Sequence, residues 1–110
     1  MKNIEAIIRE DRLDAVRRAL EEVGINGMTI TEVFGRGQQR GAGAQISSKR
    51  ANFIPKLRLD VVCHDQDYQI AVQAIIRAAR TGKIGDGKIF IWNVDEAIRI
   101  RTGETGEPVV

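Results

Sequence analysis

Cysteine and histidine are almost absent from this sequence. The 110 residues include one cysteine, Cys63, and one histidine, His64. A single thiol excludes an internal disulfide, and a single imidazole excludes a histidine-rich metal site within one chain. We interpret Cys63 as a small core residue in preference to a reactive thiol, and His64 as a residue at a strand end that faces water.

Long apolar runs are also missing, although 43% of the residues are apolar and 29% are charged. No run is long enough to span a membrane, and Glu5 places a charge where a signal peptide would be apolar. We therefore expect one domain over residues 1–110 that is cytoplasmic and does not insert into a membrane. A chain of this length buries roughly two-thirds of its unfolded surface and needs no disulfide to fold.

Strand-like and helix-like patterns alternate along the chain. Period-two patterns predict strands, and apolar residues three or four apart predict helices. The predicted strands are 2–9, 28–34, 54–63, 88–93 and a final extended piece at 98–102; the predicted helices are 11–23 and 67–80; the rest is a loop at 35–53, a turn or short helix in "VDEAI" and a flexible tail at 103–110. We expect Asp11 to be the first N-cap, and Gly24 to end that helix in a left-handed conformation.

This order is a split βαβ repeat. It predicts an α+β, ferredoxin-like fold (βαββαβ), with a four-stranded antiparallel sheet, two helices on one face and a short C-terminal strand. The residues expected in its core are Ile4, Ala6, Ile8, Leu13, Val16, Leu20, Val23, Leu57, Leu59, Val61, Tyr68, Val72, Ile75, Ile76 and Ala79. The other face should be open, and is expected to carry Glu5, Ile7, Arg9, Arg58, Asp60 and Val62.

The stretch "GKIGDGKI" (82–89) has almost the spacing of a phosphate-binding P-loop, with Ile89 in place of the Ser or Thr. It follows a helix and precedes a strand, so no helix N-terminus points at it, and a P-loop hydrolase is not indicated. Three glycines, at 82, 85 and 87, still permit an anion nest, and Lys83 and Lys88 add charge. The alternative is a plain turn with solvated lysines.

Arg99 and Arg101 lie two apart in "RIRTG". On an extended segment both would emerge on one face, with Ile98 and Ile100 on the other, and two guanidinium groups side by side suit a di- or triphosphate. They could equally be surface arginines. Together with the glycine loop, however, they favour phosphate binding.

Residues 33–59 contain no Asp or Glu and six cationic residues, which are Arg36, Arg40, Lys49, Arg50, Lys56 and Arg58. Such a segment is attracted to an acidic surface. Phe53 is the only aromatic residue of the 35–53 loop, so it offers no stacking platform for nucleic acid. We therefore favour an acidic protein partner over nucleic acid.

At these residues the sequence resembles the PII signal-transduction proteins, which are regulators of nitrogen metabolism. The resemblance rests on "TGKIGDGKIF" (81–90), "RIRTGE" (99–104), "IEAIIR" and "VGINGMTITEV". It implies a non-enzymatic homotrimer that binds ATP or ADP in clefts between subunits and docks on a target protein through the 35–53 loop, the T-loop of the family. It also implies that Mg²⁺ and 2-oxoglutarate bind together with ATP.

The resemblance also implies the site residues. Those implied for the nucleotide are Ile7, Thr29, Gly35, Gly37, Gln38, Gln39, Asp60, Val62, Gly85, Asp86, Gly87, Lys88, Arg99 and Arg101. Those implied for 2-oxoglutarate are Gln39, Gly41 and Lys56, and Gln39 is also the implied magnesium ligand.

The chain departs from the family pattern in its loop. Gln38 stands where the family often has arginine, and the loop has no tyrosine, which excludes uridylylation at that position. Ser47 or Ser48 remains as a candidate for modification. One alternative is a divergent paralogue that senses nucleotides without 2-oxoglutarate. Another is a small nucleotide-hydrolysing enzyme, for which Asp86 is the one candidate base in the glycine loop.

Overall fold

The computed structural model describes residues 1–36 and 53–110. The strands are β1 (Lys2–Ile8), β2 (Thr29–Gly35), β3 (Ile54–Cys63) and β4 (Lys88–Asn93), and the helices are α1 (Leu13–Glu22) and α2 (Tyr68–Ala79). Two short 3-10 turns lie at Glu10–Arg12 and Glu107–Val109. In the described stretches, neither helix combines the length and apolar character needed to cross a membrane.

The strands form one antiparallel sheet in the order β2-β3-β1-β4. Ile7 of β1 lies opposite Arg58 of β3 and Lys88 of β4, which fixes the register across the centre of the sheet. This confirms the ferredoxin-like prediction, and β3 has the predicted bounds. Because paired residues point to the same face, Ile7, Arg58 and Lys88 share the face that carries no helix.

The core lies between the other sheet face and the two helices. It comprises Ile4, Ala6, Ile8, Val16, Ala19, Leu20, Leu57, Leu59, Val61, Cys63, Ala71, Ala74, Ile75 and Ala79. The prediction that Cys63 is a core residue is therefore confirmed, and burial raises the pKa of its thiol. On α2 the buried stripe differs from the predicted one, because Ala71 and Ala74 face the core while Tyr68 and Val72 are only partly buried. Small side chains there allow α2 to pack closely.

The first helix begins differently from the prediction. Asp11 lies inside the 3-10 turn, and α1 begins after Arg12 without a side-chain cap, so the Asp11 N-cap was wrong. Arg12 donates through Nε and Nη2 to the carbonyl of Ala78, at 3.0 and 2.6 Å, so the turn is tied to the end of α2. The left-handed prediction for Gly24 is confirmed, with φ of 84°.

The predicted strand at 98–102 is also wrong. Ile98 pairs only with Thr105, in an isolated bridge, and residues 100–102 form a turn. Gly103, with φ of 75°, closes the turn by donating its N–H to the carbonyl of Arg99 at 2.7 Å. We call residues 97–106 the C-terminal hairpin. The "VDEAI" segment before it has no regular helix.

Candidate functional site

A cleft of about 520 Å³ opens at the end of the sheet where β4 begins. It brings together predicted site residues from four segments, namely Ile7, Gly35, Lys56, Gly85, Asp86, Gly87 and Lys88. Arg36, Ile54, Lys83, Ile84 and Phe90 complete the lining. Residues 80 or more apart in the sequence therefore meet because β1 pairs directly with β4.

The glycine loop between α2 and β4 has the backbone conformation that its glycines predict. Gly82, Gly85 and Gly87 have φ of 87°, 102° and 104°, which other residues rarely adopt. Gly87 also has no room for a side chain, since a β-carbon there would lie 1.7 Å from the carbonyl oxygen of Ile7. The loop is therefore pressed against β1 at the floor of the cleft.

Asp86 anchors this loop from within. Its carboxylate accepts hydrogen bonds from the backbone N–H groups of Thr81 and Gly82, both at 2.8 Å, and from Arg9 Nε at 3.0 Å. The Thr81 hydroxyl also donates to it, and is the main cause of a strongly lowered pKa of the Asp86 carboxyl. One end of the predicted anion nest thus already holds an anion.

Lys56 lies under the loop with only 7% of the residue exposed. Its ammonium donates to the carbonyl of Gly85. The pKa of Lys56 is lowered, first by burial and then by the positive charge of Arg9, while Asp86 opposes the shift. Arg36, Lys83 and Lys88 line the same cleft. Asp86, the one carboxylate among the described lining residues, is paired with Arg9, so the four lining cations leave an excess of positive charge that suits an anionic ligand.

Other predicted nucleotide residues lie further along the open sheet face. Thr29 is opposite Asp60, which forms an ion pair with Arg58 at 3.3 Å and accepts a hydrogen bond from Asn3 at 3.3 Å. Val62 is 40% exposed. None of Thr29, Asp60 and Val62 lines the cleft. Phe90 and Trp92 are 49% and 47% exposed on the same face, which makes it partly apolar.

Arg99 and Arg101 also lie away from the cleft of their own chain. The C-terminal hairpin leaves the sheet at Asn93, whereas the cleft lies at Lys88, the opposite end of β4. Arg99 Nη1 is paired with Glu104 at 2.8 Å. The predicted arrangement of both arginines on one extended face is wrong, because residues 100–102 form a turn and Arg101 lies at its centre.

Several predicted residues lie outside the part of the chain that the structure describes. They are Gly37, Gln38, Gln39, Gly41, Ser47 and Ser48. Among the residues that are described, no three His, Cys, Asp or Glu side chains are placed to hold a metal ion. The predicted Mg²⁺ ligand, Gln39, is one of the residues outside this set.

Sequence reasoning missed the roles of Arg9 and Thr81. Arg9 was expected on the open sheet face, but its guanidinium also donates to the carbonyl of Ile84 at 2.8 Å and so holds the glycine loop at a second point. Thr81 binds Asp86 through both its backbone and its side chain. The threonine before "GKIGDG" was a usable signal, since Thr and Asp commonly bond to backbone in turns.

In the comparison with known proteins, the matching family model and the similar proteins carry the same description. The model of the family described as "Nitrogen regulatory protein P-II" matches residues 1–104. The "Nitrogen regulatory protein P-II 2" of Methanothermobacter thermautotrophicus is 48% identical, over 100% of this chain and 97% of that protein. The "Nitrogen regulatory protein P-II" of Haemophilus influenzae is 50% identical over 100% of both chains, and that of Rhizobium meliloti is 50% identical over 96% of both.

Proposed function

Because the chain belongs to the nitrogen regulatory protein P-II family, whose members are signal-transduction regulators and not enzymes, we propose that it binds ATP and ADP. The supporting observation is the cationic cleft under the glycine loop, where burial, and after it repulsion by Arg9, lowers the pKa of Lys56. An anion in the cleft would relieve this repulsion. Lys88 and backbone N–H groups of the glycine loop are the groups proposed to contact the phosphates.

The proposed site needs a second copy of the chain. Arg99 and Arg101 lie at the end of β4 opposite the cleft, so within one chain they are poorly placed to share a phosphate group with Lys88. The open sheet face exposes Val62, Phe90 and Trp92, an apolar surface suited to burial against other copies. We propose a homotrimer in which the arginines of one chain, with Thr29, Asp60 and Val62, complete the cleft formed by Ile7, Gly35 and the glycine loop of the next.

Lys56 is proposed to bind a carboxylate of 2-oxoglutarate when Mg²⁺ and ATP are present. Its ammonium lies in the same cleft as Lys88, so a small dicarboxylate could contact both Lys56 and a metal held by the nucleotide. Gln39 and Gly41, with Gln38 and Gly37, are proposed to supply the remaining contacts. A paralogue that binds nucleotide without 2-oxoglutarate is the second candidate, favoured by Gln38 in place of arginine.

P-II proteins act by binding target proteins and small effectors. We propose that ligands in this chain change how its basic 35–53 loop docks on an acidic protein, such as a transporter or an enzyme, in the cytoplasm. The effect requires different ligand affinity for the loop's docking and non-docking conformations. Of the loop's cations, Arg36 lies within the described residues, at the rim of the cleft. Its position connects the ligand to the docking segment directly.

Isothermal titration tests the nucleotide site. Lys88→Ala and Arg101→Ala should each weaken ATP binding by about ten- to hundredfold, since each removes a charged hydrogen bond to phosphate. Arg18→Ala, on the exposed side of α1, removes the same charge and should leave ATP affinity unchanged. Equal ATP affinity in the wild type and both site variants would overturn the assignment.

The same titration distinguishes the two candidates for 2-oxoglutarate. Adding 2-oxoglutarate with Mg²⁺ should tighten ATP binding in the wild type but not in Lys56→Met, which keeps the length of the buried side chain. A wild type that binds ATP but does not respond to 2-oxoglutarate supports the divergent paralogue.

A further inference from the structure

The first half of the glycine loop is bonded to side chains of the loop itself. The backbone N–H groups of Thr81 and Gly82 donate to the Asp86 carboxylate, both at 2.8 Å. The Thr81 hydroxyl donates to the same carboxylate, and its oxygen accepts a hydrogen bond from the backbone N–H of Lys83 at 3.2 Å. Thr81 therefore takes part in three of these four bonds.

The second half of the loop is bonded to side chains from elsewhere in the domain. Arg9, directly after β1, donates to the carbonyl of Ile84 at 2.8 Å and to the Asp86 carboxylate at 3.0 Å. Lys56 of β3 donates to the carbonyl of Gly85. Asp86 therefore joins the two halves, because its carboxylate accepts bonds both from the start of the loop and from Arg9.

The two ends of the loop are fixed by packing, and the residues between them by these hydrogen bonds. The loop begins after Ala79, the last residue of α2, and ends at Gly87, which is pressed against β1. Between these points Gly82 and Gly85 have positive φ, and glycine has more backbone conformations to lose than any other residue. A ligand that fits one of several loop conformations binds more weakly in proportion to the fraction of molecules in that conformation. The bonds within the loop therefore bear on ligand affinity as well as on stability.

We propose that Thr81 is a positioning residue for nucleotide binding, which acts through Asp86 without contacting the ligand. The inference rests on the proposed function, in which Lys88 and N–H groups of this loop contact the phosphates. Thr81 holds the loop in its binding conformation, and it also holds the Asp86 carboxylate against the start of the loop. Asp86 lines the cationic cleft, so a carboxylate released from these bonds would repel a phosphate there.

Isothermal titration with ATP compares the wild type with Thr81→Val and Thr81→Ser. Valine replaces the hydroxyl by a methyl group and removes the two bonds that the hydroxyl makes, so ATP binding should weaken by about five- to twentyfold. Serine keeps the hydroxyl and should restore most of the affinity. Ile4→Val is the stability control, because Ile4 is fully buried in β1 and does not line the cleft. It should bind ATP as the wild type does.

A double variant tests whether Thr81 acts through Asp86. In the Asp86→Asn background, the carboxylate that Thr81 positions is already gone. Thr81→Val should therefore change ATP affinity much less in this background than in the wild type. A loss of the same size in both backgrounds would overturn the proposal, since it would show that the hydroxyl acts independently of Asp86.

Amide hydrogen exchange in the nucleotide-free wild type gives a measurement that needs no variant. The N–H groups of Gly82 and Lys83 should exchange about tenfold or more slowly than in an unstructured chain, because the loop is already bonded before ATP arrives. Exchange at the unstructured rate overturns this inference, as does equal ATP affinity in Thr81→Val and the wild type, or a Thr81→Ser variant as weak as Thr81→Val. In each of these cases ATP binding by the wild type leaves the proposed function standing. A wild type that binds no ATP overturns both.

Discussion

The backbone carbonyl of Ile7 occupies the space that a side chain on Gly87 would fill. A β-carbon on Gly87 would lie 1.7 Å from the carbonyl oxygen of Ile7 and 2.8 Å from its carbonyl carbon. Both partners are backbone atoms of a central strand, so neither can move aside without shifting the sheet. The position of the glycine loop over the cleft is therefore set by this contact.

Gly87→Ala should destabilise the protein by about 3 kcal/mol or more, because it combines a positive φ with a backbone clash. Gly82 also has a positive φ, but a β-carbon there meets nothing within 4 Å. Gly82→Ala should therefore cost only about 1 kcal/mol. Urea unfolding at one fixed protein concentration measures both. Equal losses in the two variants would show that strain, and not contact with Ile7, dominates.

Asp86→Asn should lower stability at pH 7 by about 1–2 kcal/mol, allowing for the 24% exposure of the side chain. The folded-state pKa of Asp86 is lowered below its unfolded value. Its contribution is therefore fully present above about pH 4, the unfolded pKa, and is lost as the pH falls further. The urea midpoints of wild type and variant should accordingly approach each other as the pH falls below about 4. The matched control is Asp95→Asn, an exposed carboxylate in the segment after β4; a similar convergence in that variant would count against a specific role for Asp86.

Arg12→Met should destabilise the protein by about 1–2 kcal/mol through the loss of its two bonds to the Ala78 carbonyl at the end of α2. Methionine keeps most of the apolar stem, so packing is largely preserved. Arg18→Met on the exposed face of α1 is the control and should change stability by less than about 0.5 kcal/mol. Thermal unfolding at pH 7 distinguishes them, and indistinguishable midpoints would refute the role assigned to Arg12.

The proposed division of the site between chains can be tested by mixing. Lys88→Ala and Arg101→Ala should each bind ATP poorly alone. If trimers form from an equal mixture after unfolding and refolding, about one quarter of the clefts should receive Lys88 from one chain and Arg101 from another. Titration of the mixture should then recover about a quarter of the wild-type sites with wild-type affinity. If no wild-type sites are recovered, Lys88 and Arg101 belong to a site within one chain.

The open sheet face can be tested through Val62 and the single tryptophan. Val62 and Trp92 both lie beside Asn3 in the register, and both are substantially exposed in one chain. Val62→Lys should prevent association and shift the emission of Trp92 to longer wavelength, because it places an uncompensated charge in the proposed interface. Ile70→Lys, at a 55% exposed position on α2, should leave the mass from light scattering unchanged. A trimeric Val62→Lys variant with unshifted emission would rule out this face as the interface.

Most of the fold was predictable because its strands and helices carry strong periodic patterns. The alternation of Leu57, Leu59 and Val61 with polar residues correctly predicted where β3 begins and ends and which of its faces is buried. The predicted strand at 98–102 did not form, because an alternating pattern does not supply a neighbouring strand to pair with. The chain instead reverses direction in the turn that Gly103 closes. The Asp11 cap failed because residues 10–12 form a 3-10 turn, which Arg12 ties to the carbonyl of Ala78, a distant contact that no local pattern reveals.

The candidate site was predictable in its residue types but less so in its contacts. The glycines of "GKIGDG" indicated positive φ values, which the structure confirms. They did not indicate that Asp86 is bonded to Arg9, because these two residues lie 77 positions apart in the sequence. The burial of Lys56 was equally hidden, since on sequence alone it belonged to the exposed half of an alternating strand.

The central place of β1 also has a consequence for synthesis on the ribosome. This strand leaves the exit tunnel first, yet both of its partners follow much later, β3 from Ile54 and β4 from Lys88. Until then Ile4 and Ile8, which end up fully or almost fully buried, have no sheet to join. The sheet can therefore close only after β4 has emerged, so the nascent protein passes through a long interval in which the isoleucines of β1 are open to chaperones or to other unfinished chains.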